Sequence, residues 1–114
     1  MKTIIFSTLL ALAGLFYSVT AATTHYETTT FKVSGNCDMC KSRIEAALKK
    51  NSAVQSASWD VKTQTVTVVY NPHAISVDQL HQLVADSGHD TDKVKATDAS
   101  YKALPGCCKY KRIK

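Results

Sequence analysis

Over residues 25–34 threonines, Tyr26, Phe31 and Val33 dominate, and Tyr26, Thr28 and Thr30 alternate against Phe31 and Val33, which is the composition and period of a strand. Gly35-Asn36 breaks it. From Asp38 the period changes. Cys40, Ile44, Ala47 and Leu48 recur at i, i+4, i+7 and i+8, one stripe of a helix, while Lys41, Arg43, Glu45 and Lys49 fall off it. Asn51-Ser52 closes that helix. Residues 54–61 put Ala57, Trp59 and Val61 on one face, Lys62-Thr63-Gln64 turns the chain, and residues 65–70 alternate through Val66, Val68 and Tyr70, so the pair is predicted as a hairpin. After Asn71-Pro72, Ser76-Val77-Asp78-Gln79 has the form of a capping box opening a helix with the stripe Val77, Leu80, Leu83 and Val84. Gly88 stands where a left-handed C-cap is wanted. Residues 92–97 predict a short last strand, and a helical turn is expected before Pro105-Gly106.

Strand, helix, strand, strand, helix, strand is the order of the α+β, ferredoxin-like βαββαβ sandwich, with a four-stranded antiparallel sheet and two helices on one face. A chain of 114 residues, 45% hydrophobic and 20% charged, has room for one such domain. Some of the apolar content lies outside it. Met1-Lys2 precedes an apolar run over residues 4–19 that exits through Val19-Thr20-Ala21, the pattern of a secretory signal peptide. The run is short for a membrane span, and no basic stop-transfer cluster follows it. The organisation expected is a signal peptide at 1–21, a domain at 22–97 and a basic Cys-Cys tail at 98–114. That places the protein in the periplasm or outside the cell, free of the membrane after cleavage. The net charge is +5, and its excess sits in Lys102, Lys109, Lys111, Arg112 and Lys114, with no acid after Asp98. No aromatic-interleaved basic face accompanies them, so nucleic acid is not an expected partner and the tail is expected to be solvated.

The four cysteines form two local pairs, Cys37-Asp38-Met39-Cys40 and Cys107-Cys108. A bridge within either pair closes almost no loop and restrains the unfolded chain little, so thiol chemistry or metal ligation is favoured over stapling. With Cys37 in a loop and Cys40 in the first helical turn, both sulfurs can face one point. The helix N-terminus, with Lys41 and Arg43 nearby, favours thiolates there. Thiolate pairs select soft ions, Cu(I) or Hg(II) first and Zn(II) or Cd(II) after them, over Mg or Ca.

In these residues the chain resembles the heavy-metal-associated domains, a family that includes copper chaperones, the N-terminal modules of metal-pumping ATPases and periplasmic mercury-binding proteins. The likeness is carried by Phe31-Lys32-Val33-Ser34-Gly35-Asn36-Cys37-Asp38-Met39-Cys40, Ile44-Glu45, Leu48, Val54, Val66-Thr67-Val68, Tyr70-Asn71-Pro72 and Gly88-His89, and it spans residues 28–97. It implies a ferredoxin-like fold and a surface-exposed metal at Cys37 and Cys40. It also implies a non-enzymatic, monomeric carrier that passes its ion by ligand exchange to a transporter or another thiol metalloprotein. The exported architecture resembles the periplasmic members most.

Two departures stand out. The family pattern Gly-Met-x-Cys-x-x-Cys is shortened to Gly35-Asn36-Cys37, and Met39 lies inside the CxxC. His89 follows the Gly at the end of the second helix, where the family brings a side chain toward the metal loop. It is a third ligand, a hydrogen-bond donor to a thiolate, or a solvated loop histidine. Cys107 and Cys108 are candidates for a separate, auxiliary metal site on their own Pro-Gly turn, which is the favoured reading, for a fold-back that completes a higher-coordinate site with Cys37 and Cys40, or for a resolving thiol pair. His73 and His81 have weaker claims, and His81, off the helical stripe, is expected to be solvated. Two other classes use the same cysteines. One is an exported thiol-disulfide redox protein, which would normally need more elements before the CxxC and a Pro facing it. The other is a structural cluster joining CxxC to Cys-Cys.

Overall fold

A computed structural model describes residues 24–112. The expected strand, helix and hairpin form as β1 (Glu27–Lys32), α1 (Asp38–Lys49), β2 (Val54–Asp60) and β3 (Thr65–Tyr70). Next come α2 (Val77–Asp86), a short α3 (Asp98–Lys102) and a 3-10 turn (Gly106–Cys108). The strands make an antiparallel sheet in the order β1-β3-β2. Register aligns Phe31, Val66 and Trp59 in one row across it, and all three are buried. Ile44 and Leu48 of α1 and Leu80 and Val84 of α2 pack on this side as fully buried members of the same core. Each such side chain contributes about 1.5–3 kcal/mol by leaving water.

The caps follow the sequence closely. Ser76 Oγ accepts the Gln79 N–H at 3.2 Å, and Gln79 Oε1 accepts the Ser76 N–H at 2.9 Å, so both halves of the capping box are made. Gly88 has φ +104, and a Cβ there would lie 2.7 Å from the Ser100 carbonyl oxygen, so the position needs glycine for both its torsion and the segment packed on it. Val61, expected on the buried face of β2, lies past the strand end and is exposed.

The fourth strand does not form among the described residues. Ser34 N–H donates to Asp90 O at 2.9 Å, Asp92 N–H donates to Lys32 O at 3.2 Å, and Val33 bridges Thr91, so pairing along β1 begins. It stops because side chains capture the next backbone donors. Thr91 Oγ1 accepts the N–H groups of Lys93 and Val94 at 3.2 and 2.9 Å, and Asp90 Oδ1 accepts that of Ala96 at 2.7 Å. Local side-chain bonds of this kind compete directly with a sheet ladder.

Two expectations about exposure are corrected. His81 is buried, stacked on Phe31 with ring centroids 3.8 Å apart and with Nδ1 2.7 Å from Thr91 Oγ1. Burial holds its pKa below the ordinary histidine value. Nor is the basic tail a solvated run. Leu104, Cys108 and Tyr110 are buried, and Arg112 reaches Asp90 with Nε and Nη2 at 3.1 and 2.9 Å and Asp98 with Nη1 at 2.9 Å. Lys102, Lys109 and Lys111 do remain exposed. The leader expected at 1–21 lies outside the described residues, among which no helix is long and apolar enough to cross a membrane.

Candidate metal centre

The loop from β1 into α1 is held by Gln64 and Trp59. Val33 N–H donates to Gln64 O at 2.8 Å, and Gly35 N–H donates to Gln64 Oε1 at 2.9 Å. Gln64 does this from a left-handed backbone, φ 55, at the β2–β3 turn. Beneath the loop, Trp59 donates its indole N–H to Val33 O at 3.0 Å. A Cβ on Gly35 would meet Trp59 Cζ2 at 2.9 Å and Cys40 Cβ at 3.1 Å, so only glycine lets the backbone lie this close to the indole.

Cys37 is the N-cap of α1, with extended backbone and no formal side-chain cap bond. Its sulfur lies at the open first turn, where the Cys40 and then the Met39 backbone N–H hold the thiol pKa below the ordinary value. Cys40, one turn in, is fully buried, and its sulfur accepts the Asn36 N–H at 3.3 Å. All four cysteines are free thiols.

The tail contributes a third sulfur. Cys108, fully buried, comes to the CxxC, and the Sγ atoms of Cys37, Cys40 and Cys108 all lie within 4.8 Å of one another. This differs from the separate tail site expected from the sequence, because docking of the tail carries Cys108 inward. Burial, followed by the neighbouring Cys40 thiol, pushes its pKa up to about 12. Cys107 is exposed and lies at the edge of the cluster, its side chain beside the Cys37 and Cys108 thiols. Its sulfur is 3.2 Å from Met39 Sδ, and its carbonyl accepts from Cys37 Sγ at 3.6 Å. The expected surface position of the site is modified accordingly, since Cys37 is half-buried and the other two cluster members are covered.

The nearby cations serve other partners. Lys41 Nζ pairs with Glu45 at 2.9 Å and donates to Trp59 O at 3.0 Å, and Arg43 Nη2 donates to Ser87 O at 3.5 Å. Thiolate stabilisation at Cys37 therefore comes from backbone N–H groups more than from these side chains.

His89 is fully buried, which excludes the solvated reading. Its Nδ1 is 2.8 Å from Ser34 O, and because a carbonyl only accepts, Nδ1 carries the proton and Nε2 is left bare. Burial holds its pKa below the ordinary value, in keeping with a neutral ring. Nε2 is buried without a hydrogen-bond partner, His89 is not in the group of close ligand atoms, and its bond to Ser34 O ties down the loop that leads into Cys37. His73 is exposed and far from this role. Sequence reasoning passed over Gln64, read only as a turn residue, and Tyr110, which anchors the tail. The signal for Tyr110 was an apolar trio, Leu104, Cys108 and Tyr110, too short to show a period.

The heavy-metal-associated domain model matches residues 30–90. Over 55 residues the chain is 36% identical to the copper chaperone CopZ of Staphylococcus haemolyticus, covering 48% of this chain and 81% of that protein. Over 81 residues it is 36% identical to a copper-exporting P-type ATPase of Staphylococcus saprophyticus, covering 68% of this chain but 10% of the ATPase. Among solved structures, the Cu(I)-loaded N-terminal domain of a potential copper-translocating P-type ATPase from Bacillus subtilis superposes with a TM-score of 0.56 at 35% identity, over 59% of this chain and 85% of that domain. These relatives are metallochaperones and metal-binding domains. They also overturn the periplasmic or secreted location expected from the N-terminal run, since the chain aligns with chaperones of the CopZ type and the leader pattern on which that location rested falls outside the described residues. With the family model matched across the strand, the CxxC and both helices that build this centre, the chain belongs to the heavy-metal-associated domain family.

Proposed function

We propose that this chain is a non-enzymatic carrier of one soft metal ion, held by Cys37 and Cys40 and passed by ligand exchange to the thiolates of a partner. Cu(I) is the first candidate, and Hg(II), Zn(II) and Cd(II) are ions the same donors accept. One observation carries the reading: Cys37 and Cys40 bring their sulfurs within 4.8 Å of each other at the open N-terminus of α1. Support for copper comes from relatives named as copper chaperones and copper-exporting ATPases. A thiol-bearing domain of such a transporter, or another thiol metalloprotein, is the partner class that fits, with this chain acting as a monomer. The carrier unit is the domain at 22–97 together with the cysteine-bearing tail.

Cys37 is half-buried and Cys40 fully buried, so the two ligands are not equivalent. The more open Cys37 is the first to be exchanged. An incoming thiolate bonds to the ion, the Cys37–metal bond breaks, and Cys37 takes up the proton that the incoming thiol gave to solvent. Repeating the exchange at Cys40 frees the ion, with no change of oxidation state.

Native mass spectrometry of the reduced protein with competing metals tests this. The wild type is expected to hold one Cu(I) against a small-thiol competitor. The double variant Cys37→Ser/Cys40→Ser is expected to hold none while keeping its fold. Retention of Cu(I) by a folded double variant sinks the assignment.

A further inference from the structure

We propose that Cys108 is a third thiolate ligand, so that the C-terminal tail closes a three-sulfur site over the ion held by Cys37 and Cys40. The inference rests on the carrier reading and deepens it. Its warrant is geometric. Three sulfurs around one ion in a trigonal plane, at a metal–sulfur distance of about 2.3 Å, lie about 4 Å from one another. The Cys37, Cys40 and Cys108 sulfurs are already within 4.8 Å of each other, so the ion needs only a small contraction of the cluster.

The tail is also built to stay in place. Tyr110 Oη accepts the Asp90 N–H and donates to Gly88 O, both at 2.8 Å, and Tyr101 Oη donates to Tyr110 O at 2.6 Å. Arg112 grips Asp90 through two nitrogens. Pro105 and the 3-10 turn at Gly106–Cys108 reverse the chain between these anchors and Leu104. The adjacent cysteines thereby differ: Cys108 is buried within the close group of sulfurs, and Cys107 is exposed at its edge and outside that group.

Chemically, Cys108 binds by losing its thiol proton to solvent as the metal–sulfur bond forms, and no electron moves. Three-coordinate thiolate suits Cu(I) and Hg(II), whereas Zn(II) prefers four ligands and would need a further donor. The third ligand is then a selectivity element as well as a lock. A partner must displace Cys108 or wait for the tail to open before exchange reaches Cys40.

The test is X-ray absorption at the copper edge on the full-length reduced protein, using its monomeric one-Cu(I) form, for wild type, Cys107→Ser and Cys108→Ser. The expected result is about three sulfur neighbours in wild type and in Cys107→Ser, and about two in Cys108→Ser. Cys108→Ser should also lose at least about tenfold in Cu(I) affinity, since even a partner behind a ligand is worth that much. A two-sulfur shell in wild type, with Cu(I) still bound, overturns the tail ligand and leaves the CxxC carrier intact. Loss of the third sulfur in Cys107→Ser overturns it in favour of the other tail cysteine. Should Cys108→Ser fail to fold, Cys107→Ser still decides, because Cys108 is then the only tail thiol left. Failure of the wild type to bind Cu(I) at all would instead defeat the carrier reading itself.

Discussion

Tyr110→Phe removes one oxygen and little else. The ring stays, stacked near His89 with centroids 5.6 Å apart and edge-on to Tyr101 at 5.1 Å, so no cavity opens. What is lost is a buried hydroxyl that bridges Asp90 N–H and Gly88 O at 2.8 Å each. Both backbone groups are then left inside without that partner, at about 1–3 kcal/mol apiece. Part of this is recovered if the loop relaxes or water enters, so a total of about 2–4 kcal/mol is expected. For a domain of this size that lowers Tm on the order of 10–20 °C. Urea denaturation should give a lower midpoint with an unchanged slope, since the surface exposed on unfolding is the same. A variant within about 0.5 kcal/mol of wild type, the range of ordinary surface changes, would show that the tail is not docked as described.

Gly35→Ala forces a methyl to 2.9 Å from the Trp59 ring and 3.1 Å from Cys40 Cβ, and overpacking of this sort costs about 1–3 kcal/mol. Because Trp59 is the single tryptophan, its emission should shift along with the denaturation midpoint, and identical emission with unchanged stability would refute the close packing. Acid stability carries a signature at Asp90. Burial alone would raise this carboxyl, but the Arg112 guanidinium and the Ala96 N–H outweigh it and hold the pKa below the ordinary carboxylate value. A depressed folded pKa contributes stability that is present above the unfolded value and lost as pH falls through the folded one. Asp90→Asn should therefore be less stable than wild type at neutral pH and lose less on acidification, measured by thermal melts across pH 7 to about pH 3, below the unperturbed carboxylate value. Parallel pH profiles for the two proteins would contradict it.

The sequence was legible where one periodic signal served one local purpose. The hairpin, the two long helices and the capping box each rest on residues close in the chain, and the structure has them nearly to the residue. The last strand misled because Asp90 and Thr91 are strong local hydrogen-bonders, and their side chains take backbone donors that a strand would have offered to β1. His81 misled because a histidine off the apolar stripe can still be covered by a neighbouring strand residue, here Phe31. The CxxC was visible as a short motif. The sulfur of Cys108 beside it was open in the sequence only as the less favoured alternative for the tail, because Cys108 is 68 residues beyond Cys40 and reaches it through contacts of Tyr110 and Arg112 that no local pattern encodes.

Those contacts converge on one short stretch of chain. Gly88, His89 and Asp90 follow α2, and together they face two ways. His89 Nδ1 and Asp90 O hold Ser34, fixing the loop that leads into Cys37. Gly88 O, the Asp90 N–H and the Asp90 carboxylate hold Tyr110 and Arg112, fixing the tail that carries Cys108. The stretch itself is set by the left-handed Gly88, which leaves no room for a side chain against Ser100 and Leu104. Two of the three clustered sulfurs thus sit on segments tied to the same three residues, while Cys40 rides on the helix core. A displacement of this stretch moves the CxxC loop and the tail together. Release of Tyr110 and Arg112 would free the tail alone, because the bonds to Ser34 come from different atoms. The geometry therefore separates opening of the cover from disruption of the loop that leads into Cys37, as the proposed carrier would need for a partner to reach the ion while the remaining ligands stay in place.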